Sequence, residues 1–457
     1  MAYEGLMVSV SGVRGRVGEA LSPEIVARFA QAFGAWAVKK KGGKGAVVLG
    51  RDSRVSGPMF HRVAMSALQA VGADVIDIGL TTTPSIQLAV EHHHAAGGLM
   101  LSASHNPIEW NALKMIGPSG LFLEAHEGAE MREAMERGVA LASWDRLGTI
   151  DTDERAFQRH IDMVLALPFV NVAAIRQRKF RVALDACHGA GGAIMPLLFD
   201  ALGCEVTAIG METDGRFPRP PEPVADNLKD LEALVRQTGA DVGFATDPDV
   251  DRLALVADDG RAIGEDYTLA LAARLVLRHR EGPVVTNLST SRVVEDVAVA
   301  AGRQAILAPV GEVNVAVKMR ESKAAIGGEG NGGVILPELH LGRDAPLGVA
   351  LILQLLLEDR KTLSQIVAEL PRYVIVKDKL DRPDAPLDSV YAALKGAFPD
   401  ATADTQDGLR LSWADRWVHV RPSGTEPIVR VIAEAPTGEG ARELVARSRV
   451  PLDALKR

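Results

Sequence analysis

Only two cysteines, Cys187 and Cys204, occur in 457 residues. That scarcity excludes a disulfide framework and fits buried thiols in a reducing cytoplasm. No apolar run is long enough to span a bilayer. The start, Met1-Ala2-Tyr3-Glu4-Gly5, lacks the basic and apolar regions of a signal peptide. No Lys/Arg cluster exceeds Lys39-Lys40-Lys41 and the net charge is −8, so nucleic acid is not an expected partner. There is no G-x-x-x-x-G-K-[ST], and no G-x-G-x-x-G opens a helix after a strand, which removes the common nucleotide loops. No G-x-S-x-G elbow surrounds a serine, which argues against an ordinary Ser/His hydrolase. What remains is a globular chain with an apolar fraction of 47%, long enough for three or four domains. An acidic protein that handles anions must concentrate positive charge locally, so arginines beside glycines become candidates.

One pattern recurs along the chain: a β-rich run, small polar residues, a helical stretch, then a second β-rich run. The first copy starts at Ala46-Val47-Val48-Leu49 and returns at Asp74-Val75-Ile76-Asp77. The second starts at Val182-Ala183-Leu184-Asp185 and returns at Glu205-Val206-Thr207-Ala208. The third starts at Val284-Val285-Thr286-Asn287 and returns at Ala305-Ile306-Leu307-Ala308. Each copy reads as a βαβ unit with parallel strands. Three spaced copies predict three related α/β domains. The last ninety or so residues differ: Leu409–Trp413, Trp417–Arg421 and Ile428–Ala433 are short strands at hairpin spacing, followed by a helix from Gly438. This predicts a smaller α+β domain. Ser22-Pro23-Glu24 supplies an N-cap and a first-turn proline for a helix running to about Lys39. Linkers are expected near 143–152 and 360–378.

Four loops carry chemistry. Asp247, Asp249 and Asp251 alternate after an apolar strand and are followed at once by Arg252. In extended chain such residues point the same way, and Pro248 between the first two favours a turn. Three hard oxygen ligands without His or Cys suit Mg²⁺ rather than Zn²⁺; the bland alternative is a solvated acidic turn. Ser102-Ala103-Ser104-His105-Asn106-Pro107 breaks a strand and is expected to leave Ser104 on an exposed loop. Lys114 nearby can act as an acid or base if desolvated. Gly327-Gly328-Glu329-Gly330-Asn331-Gly332-Gly333 permits close approach of a ligand, with Glu329 and Asn331 offering groups for sugar hydroxyls, or it is a flexible connector. Arg421-Pro422-Ser423-Gly424-Thr425-Glu426-Pro427 offers a guanidinium, hydroxyls and backbone N–H groups, the donors that bind a phosphate dianion, with Arg430 on its far side.

In this order these loops resemble the α-D-phosphohexomutase family: phosphomannomutase, phosphoglucomutase and phosphoglucosamine mutase. Val10-Ser11-Gly12-Val13-Arg14-Gly15 completes the set, and the likeness covers the whole chain. It implies an α/β architecture of three related domains with mixed sheets plus a smaller C-terminal α+β domain, around a central cleft. The expected divisions are 1–150 with the serine loop, 151–257 with the metal loop, 258–366 with the sugar loop and 367–457 with the phosphate loop. The resemblance makes Ser104 the carrier of a phosphoryl group and assigns one Mg²⁺ to Asp247, Asp249, Asp251 and a phosphoserine oxygen. Arg14, Lys114 and Arg252, with His105 beside the nucleophile, form the implied reaction centre, Lys114 being the acid/base. Glu329 and Asn331 bind the sugar, and Arg421, Ser423, Gly424, Thr425 and Arg430 bind the non-reacting phosphate. The implied activity interconverts hexose 6-phosphate and hexose 1-phosphate through a hexose 1,6-bisphosphate, in a cytoplasmic monomer or homodimer.

Departures from the family pattern are informative. Pro248 replaces a common glycine without changing ligand spacing. Gly333 and Glu312 stand where many relatives have histidines, so a histidine role in proton transfer does not carry over. Ser11 stands where an aspartate is frequent. His340 reads as a surface residue, and His92-His93-His94 as a helix end. Asn331 in the sugar loop places glucosamine phosphate ahead of mannose or glucose phosphates as substrate. A non-catalytic sugar-phosphate-binding protein and a Mg²⁺ phosphatase are the rival classes.

Overall fold

Four separate β-sheets divide the chain. The computed structural model describes residues 5–9, 12–382, 385–422 and 428–455. The first unit contains β1 (Met7–Ser9), β2 (Gly12–Arg16), α1 (Pro23–Lys40), β3 (Ala46–Arg51), α2 (Gly57–Ala70), β4 (Asp74–Leu80), α3 (Thr83–His92), β5 (Gly97–Leu101), β6 (Trp110–Ile116), α4 (Ala125–Arg137) and β7 (Ile150–Thr152). Its sheet runs β1-β2-β6-β5-β3-β4-β7. The second contains α5 (Ala156–Leu165), α6 (Val172–Arg178), β8 (Arg181–Asp185), α7 (Gly191–Leu202), β9 (Glu205–Ile209), α8 (Lys229–Thr238), β10 (Val242–Thr246) and β11 (Leu253–Ala257), with sheet order β11-β10-β8-β9. The third contains α9 (Asp266–His279), β12 (Val284–Asn287), α10 (Arg292–Ala300), β13 (Ala305–Ala308), α11 (Glu312–Ser322), β14 (Ile326–Glu329), β15 (Gly333–Ile335), α12 (Ala345–Asp359) and α13 (Leu363–Ala368), with sheet order β13-β12-β14-β15. The fourth contains β16 (Val374–Asp381), α14 (Leu387–Ala397), β17 (Thr402–Asp404), β18 (Leu409–Ser412), β19 (Trp417–Pro422), β20 (Ile428–Ala435) and α15 (Gly438–Ala454), around an antiparallel sheet β16-β20-β19-β18-β17.

The first three units repeat one topology. A central strand pairs in parallel with the next two strands, and the third of these turns back antiparallel onto a fourth. The sets are β3/β4/β5/β6, β8/β9/β10/β11 and β12/β13/β14/β15. The repeat extends to a local detail. At or just past the end of each central strand a side chain accepts the N–H two residues on: Asp52 from Arg54 at 3.0 Å, Asp185 from Cys187 at 2.8 Å and Asn287 from Ser289 at 2.8 Å. These Asx turns end the strand and steer the chain into its crossover helix.

Local signals act as the sequence suggests. Ser22 caps α1 through Ile25 N, with Pro23 in the first turn and Lys39 and Lys40 in the last. Thr82 caps α3 and Asp344 caps α12. The stretch read as a linker at 143–152 ends in β7, which pairs in parallel with β4 and so extends the first sheet. No helix among the described residues is long and apolar enough to cross a membrane.

The second and third units share one core. Val182, Leu184 and Phe244 belong to the same buried cluster as Leu275, Val284 and Leu351. The shared element is α12, whose apolar residues are buried on all sides, as expected of a helix enclosed between layers. The first and fourth units have cores of their own. Leu351→Ala is expected to cost about 3 kcal/mol. Because its cavity opens into a shared core, hydrogen exchange should accelerate together in β8 and β12 while β18 and β19 are unchanged.

Candidate active site

The ends of the third strands of the three α/β units meet. After β5 the chain enters the Ser104 loop, whose carbonyls are drawn onto one buried guanidinium. Arg54 Nη1 donates to Pro107 O at 2.8 Å and Trp110 O at 2.9 Å, and Nη2 donates to Ser104 O at 2.5 Å and Asn106 O at 2.7 Å. Arg54 is itself paired with Asp52 at 3.1 Å. Ser104 has φ 47, a left-handed conformation that is unusual for a non-glycine residue and held here by its surroundings. Ser104 N donates to Ser102 Oγ at 2.9 Å, and Ser104 Oγ lies 3.3 Å from His105 Nδ1.

After β10 the chain turns through the three aspartates. One oxygen from each lies within 4.8 Å of the others, and all three residues are buried. Val250 has φ 63, a strained state for a β-branched residue, which marks how tightly the turn is wound. Asp247 Oδ2 accepts from Ser104 Oγ at 2.8 Å, and its Oδ1 accepts from the backbone N–H groups of Asp251 and Arg252, each at 3.2 Å. Asp249 Oδ2 accepts from Lys114 Nζ at 2.5 Å and from the Thr83 hydroxyl. Asp251 Oδ2 accepts from Arg343 Nη2 at 2.7 Å. The second oxygens, Oδ1 of Asp249 and of Asp251, are buried without a hydrogen-bond partner. Buried carboxylate oxygens normally have one. Orphaned hard donors converging beside Ser104 are what a divalent cation requires, and the residues present fit Mg²⁺ or a similar ion. Burial, together with Asp251 and Asp249, pushes the Asp247 carboxyl well above its usual range.

Cations ring this cluster. Burial works against the Lys114 charge, but Asp249 and Asp251 outweigh it and hold the ammonium above its ordinary range. Arg14 donates to Asn106 Oδ1 at 2.5 Å. Arg252 pairs with Glu222 at 3.2 Å. Burial, then Arg252, Arg14 and Arg343, keep His105 well below the usual imidazole range, and therefore neutral.

After β14 comes the glycine-rich loop. Glu329 Oε1 accepts from Asn287 Nδ2 at 2.8 Å and Gly311 N at 3.1 Å, while Oε2 accepts from Arg343 Nη1 at 2.8 Å and Asn331 Nδ2 at 3.4 Å. Burial opposes the Glu329 charge, and Arg343 and Asn287 restore it, leaving the carboxyl below its ordinary range. The glycines are set by packing as much as by any ligand. Gly332 has φ +88, and a Cβ on Gly333 would lie 2.2 Å from Arg343 Cδ. In the fourth unit, Arg421 on β19 and Arg430 on β20 are directly opposite in the ladder, with Lys379 of β16 next in the same row. Arg421 pairs with Asp407 at 3.2 Å. Ser423, Gly424 and Thr425, the other expected phosphate ligands, lie outside the described residues, as does Ser11.

Sequence profiles described as phosphoglucomutase/phosphomannomutase alpha/beta/alpha domains I, II and III match residues 6–140, 158–260 and 264–373, and the C-terminal domain profile matches 373–449. The chain belongs to the phosphoglucomutase/phosphomannomutase family. A probable phosphoglucosamine mutase of Methanopyrus kandleri is 36% identical over 446 residues, 96% of each chain. A phosphoglucomutase/phosphomannomutase of Thermococcus kodakarensis is 37% identical over 446 residues, again 96% of each. A solved phosphoglucomutase/phosphomannomutase family protein of Burkholderia thailandensis superposes with a TM-score of 0.84 at 26% identity, covering 98% of both chains. The protein is an enzyme of phosphohexomutase type.

Within this phosphohexomutase the structure brings Ser104, His105, Lys114, Arg14, Arg252 and the three aspartates to one place, with Glu329 joined to them through Arg343. Two expectations are corrected. Ser104 is not exposed but 3% accessible, because the aspartate turn of the second unit closes over it. His340 is not a surface residue: it is 4% exposed and its Nε2 lies 3.0 Å from Asp344 Oδ2. Arg54, Thr83, Glu222 and Arg343 were missed. None sits in a recognisable motif, although Arg343 immediately precedes the N-cap of a strongly apolar helix. Burial and the neighbouring carboxylates favour the protonated form of Asp247, and a cation must displace any proton held there, so Mg²⁺ affinity should rise with pH. Calorimetry at pH 6 and pH 8 should show tighter binding at pH 8, with an apparent enthalpy that depends on the ionisation heat of the buffer. Equal affinity at both would mean that the cluster is already fully ionised.

Proposed function

We propose that this phosphohexomutase interconverts hexose 6-phosphate and hexose 1-phosphate through a phosphorylated Ser104 and a hexose 1,6-bisphosphate, with glucosamine phosphate its preferred substrate. The observation that carries the reading is the position of Ser104 Oγ, 2.8 Å from Asp247 Oδ2 in the only cluster among the described residues with metal-ligand spacing. Mg²⁺ held by Asp247, Asp249 and Asp251 would supply charge neutralisation for the transferring group. The protein's own residues do the rest. In the forward step the bond from phosphorus to Ser104 Oγ breaks as a sugar hydroxyl oxygen bonds to phosphorus. Lys114, held as an ammonium, protonates the departing Oγ and recovers a proton from the attacking hydroxyl. Arg14 and Arg252 orient and balance the transferring phosphoryl oxygens. The bisphosphate then turns over, and its other phosphate returns to Ser104.

A sugar that binds in two orientations needs a clamp for whichever phosphate is not reacting. Arg421 and Arg430, opposite each other in the β19–β20 ladder, are the described cations assigned to that clamp. At the sugar loop, the bond from Asn331 to Glu329 is the longest that Glu329 accepts, at 3.4 Å, and the one a substrate group most easily replaces. Glu329, held ionised, gives the 2-ammonium of glucosamine phosphate a charge-assisted partner that a hydroxyl does not match. Such a bond is worth about 1.5–3 kcal/mol, roughly ten- to a hundredfold in kcat/KM. The second reading, phosphomannomutase/phosphoglucomutase, is favoured by the name of the Thermococcus kodakarensis relative.

The deciding measurement is turnover of phosphorylated enzyme with Mg²⁺ and the 1-phosphates of glucosamine, mannose and glucose. We expect 6-phosphate to form from glucosamine 1-phosphate at least tenfold more efficiently. Ser104→Ala should lose on the order of 10⁴-fold or more in kcat. Similar efficiency with all three sugars would make the enzyme a broad phosphohexomutase. Release of inorganic phosphate without isomer would make it a phosphatase, and binding without either product a sugar-phosphate-binding protein.

A further inference from the structure

Arg343 lies between two parts of the site that come from different domains. Its Nη2 donates to Asp251 Oδ2 at 2.7 Å, its Nη1 to Glu329 Oε2 at 2.8 Å and its Nε to Glu312 Oε2 at 2.9 Å. Arg343 is 8% exposed, and Asp251, Glu312 and Glu329 are buried with it. The N–H groups of a guanidinium form a rigid planar fork. Carboxylates attached to one such fork keep fixed separations. On Asp251 the fork occupies Oδ2 and leaves Oδ1 buried without a hydrogen bond, 3.8 Å from Arg252 Nε. On Glu329 it occupies the oxygen that also takes the weak Asn331 bond.

The backbone that carries Arg343 is fixed from all three α/β units. Arg343 N donates to Glu312 Oε1 at 3.3 Å. The next residue, Asp344, accepts from Leu347 N at 2.9 Å, and its Oδ2 lies 2.7 Å from His160 Nε2 and 3.0 Å from His340 Nε2. His160 Nδ1 in turn lies 2.8 Å from Ser85 Oγ in α3, the helix whose Thr83 bonds Asp249. Room for the arginine is made at residue 333. A Cβ there would lie 2.2 Å from Arg343 Cδ and 2.8 Å from its Cγ. A guanidinium held by three carboxylates has no slack to give way, so glycine at 333 and arginine at 343 form one device.

We infer that Arg343 is a positioning residue that ties the divalent-cation site to the sugar loop, so that cation binding and sugar-phosphate binding reinforce each other through one guanidinium. The inference rests on the reading of the aspartates and Glu329 given above. By linkage, Mg²⁺ must raise the affinity for sugar phosphate by the same factor by which sugar phosphate raises that for Mg²⁺.

The test is titration calorimetry on the full-length dephosphorylated enzyme. Mg²⁺ binding is measured with and without glucosamine 1-phosphate, and with glucose 1-phosphate as a second probe. In the wild type the coupling factor should be about tenfold, within the range common for linked sites. Arg343→Lys keeps the charge but loses the fork. It should bring the factor close to one and weaken Mg²⁺ binding without sugar at least fivefold. Gly333→Ala changes no charge and should reproduce the loss of coupling by displacing the Arg343 stem; it decides the matter if Arg343→Lys does not fold by circular dichroism. Glu329→Gln removes one of the three carboxylates from the fork and should lower the coupling factor and weaken sugar binding by more than it weakens sugar-free Mg²⁺ binding, an asymmetry that general unfolding would not give. If the folded variants retain the wild-type coupling factor, Arg343 is only structural and the inference fails. A wild type that isomerises hexose phosphate but binds Mg²⁺ and sugar independently overturns the inference and leaves the proposed function standing. Coupled binding without any isomer overturns the proposed function alone, and binding of neither probe overturns both.

Discussion

Three carboxylates buried within one tight turn cannot bear their own charge, and the architecture around the turn answers that constraint. Each carboxylate is compensated by a different part of the chain. Asp247, whose carboxyl burial and its neighbours push well above the usual range, takes the Ser104 hydroxyl and two backbone N–H groups from its own turn. Asp249 takes Lys114 and Thr83 from the first α/β unit, and Asp251 takes Arg343 from the third. Removing one partner of a buried ion pair costs several kcal/mol, because the other charge is stranded. The relative placement of the three units is therefore tied to the electrostatics of five residues. The second oxygens of Asp249 and Asp251 have no hydrogen-bond partner, and Asp251 Oδ1 meets only Arg252 Nε, at 3.8 Å; a site assembled this way has room for a further positive charge.

The threefold repeat explains why chemistry gathers at one point. In each α/β unit the first strand feeds a crossover to one side and the third strand lies on its other side. The chain thus leaves in opposite directions from neighbouring strands, and a crevice opens at their carboxyl ends. Ser104, Asp247 and Glu329 all follow or end the third strand of their unit, at β5, β10 and β14. Asp52 follows the central strand of its unit, and Asp185 and Asn287 end theirs. One topological position carries three different groups: a hydroxyl, a carboxylate of the aspartate cluster and the carboxylate of the glycine-rich loop. The shared core of the second and third units keeps the last two in register.

How much of this was legible depended on whether a function sat in contiguous sequence. The strand-and-turn pattern, the capped first helix and the C-terminal hairpins were readable because they are local. The aspartate turn was readable because Arg252 follows it directly, an apolar strand precedes it and the other loops stand in family order around it. Arg54, Thr83 and Arg343 were not, since each is a lone polar residue whose partners lie elsewhere in the chain; Arg54 meets Ser104 across 50 positions and Arg343 meets Asp251 across 92. The same limit misplaced Ser104, whose cover comes from Asp247, 143 positions away. His340 read as a surface residue although Leu339 and Leu341 flank it, since a lone histidine in a loop gives no sequence sign of a buried partner. Its burial follows from Asp344, a helix cap that needs partners for its second oxygen. The glycines after Glu329 suggested ligand access, whereas one of them, Gly333, clears a path for an arginine side chain.

The Ser104 loop shows how a strained residue is kept in place without regular secondary structure. Residues 102–109 form no strand or helix, and a left-handed serine there costs on the order of 1–3 kcal/mol. Arg54 offsets that cost with four bonds to loop carbonyls, each charge-assisted and sheltered from water. The arrangement has a second consequence. A phosphate dianion on Ser104 would be repelled by carbonyl oxygens directed at it. Those of Ser104, Asn106, Pro107 and Trp110 are turned instead onto a guanidinium, whose own charge is balanced by Asp52. One buried ion pair thereby fixes the geometry of the loop and turns its carbonyl dipoles away from the proposed phosphoryl carrier.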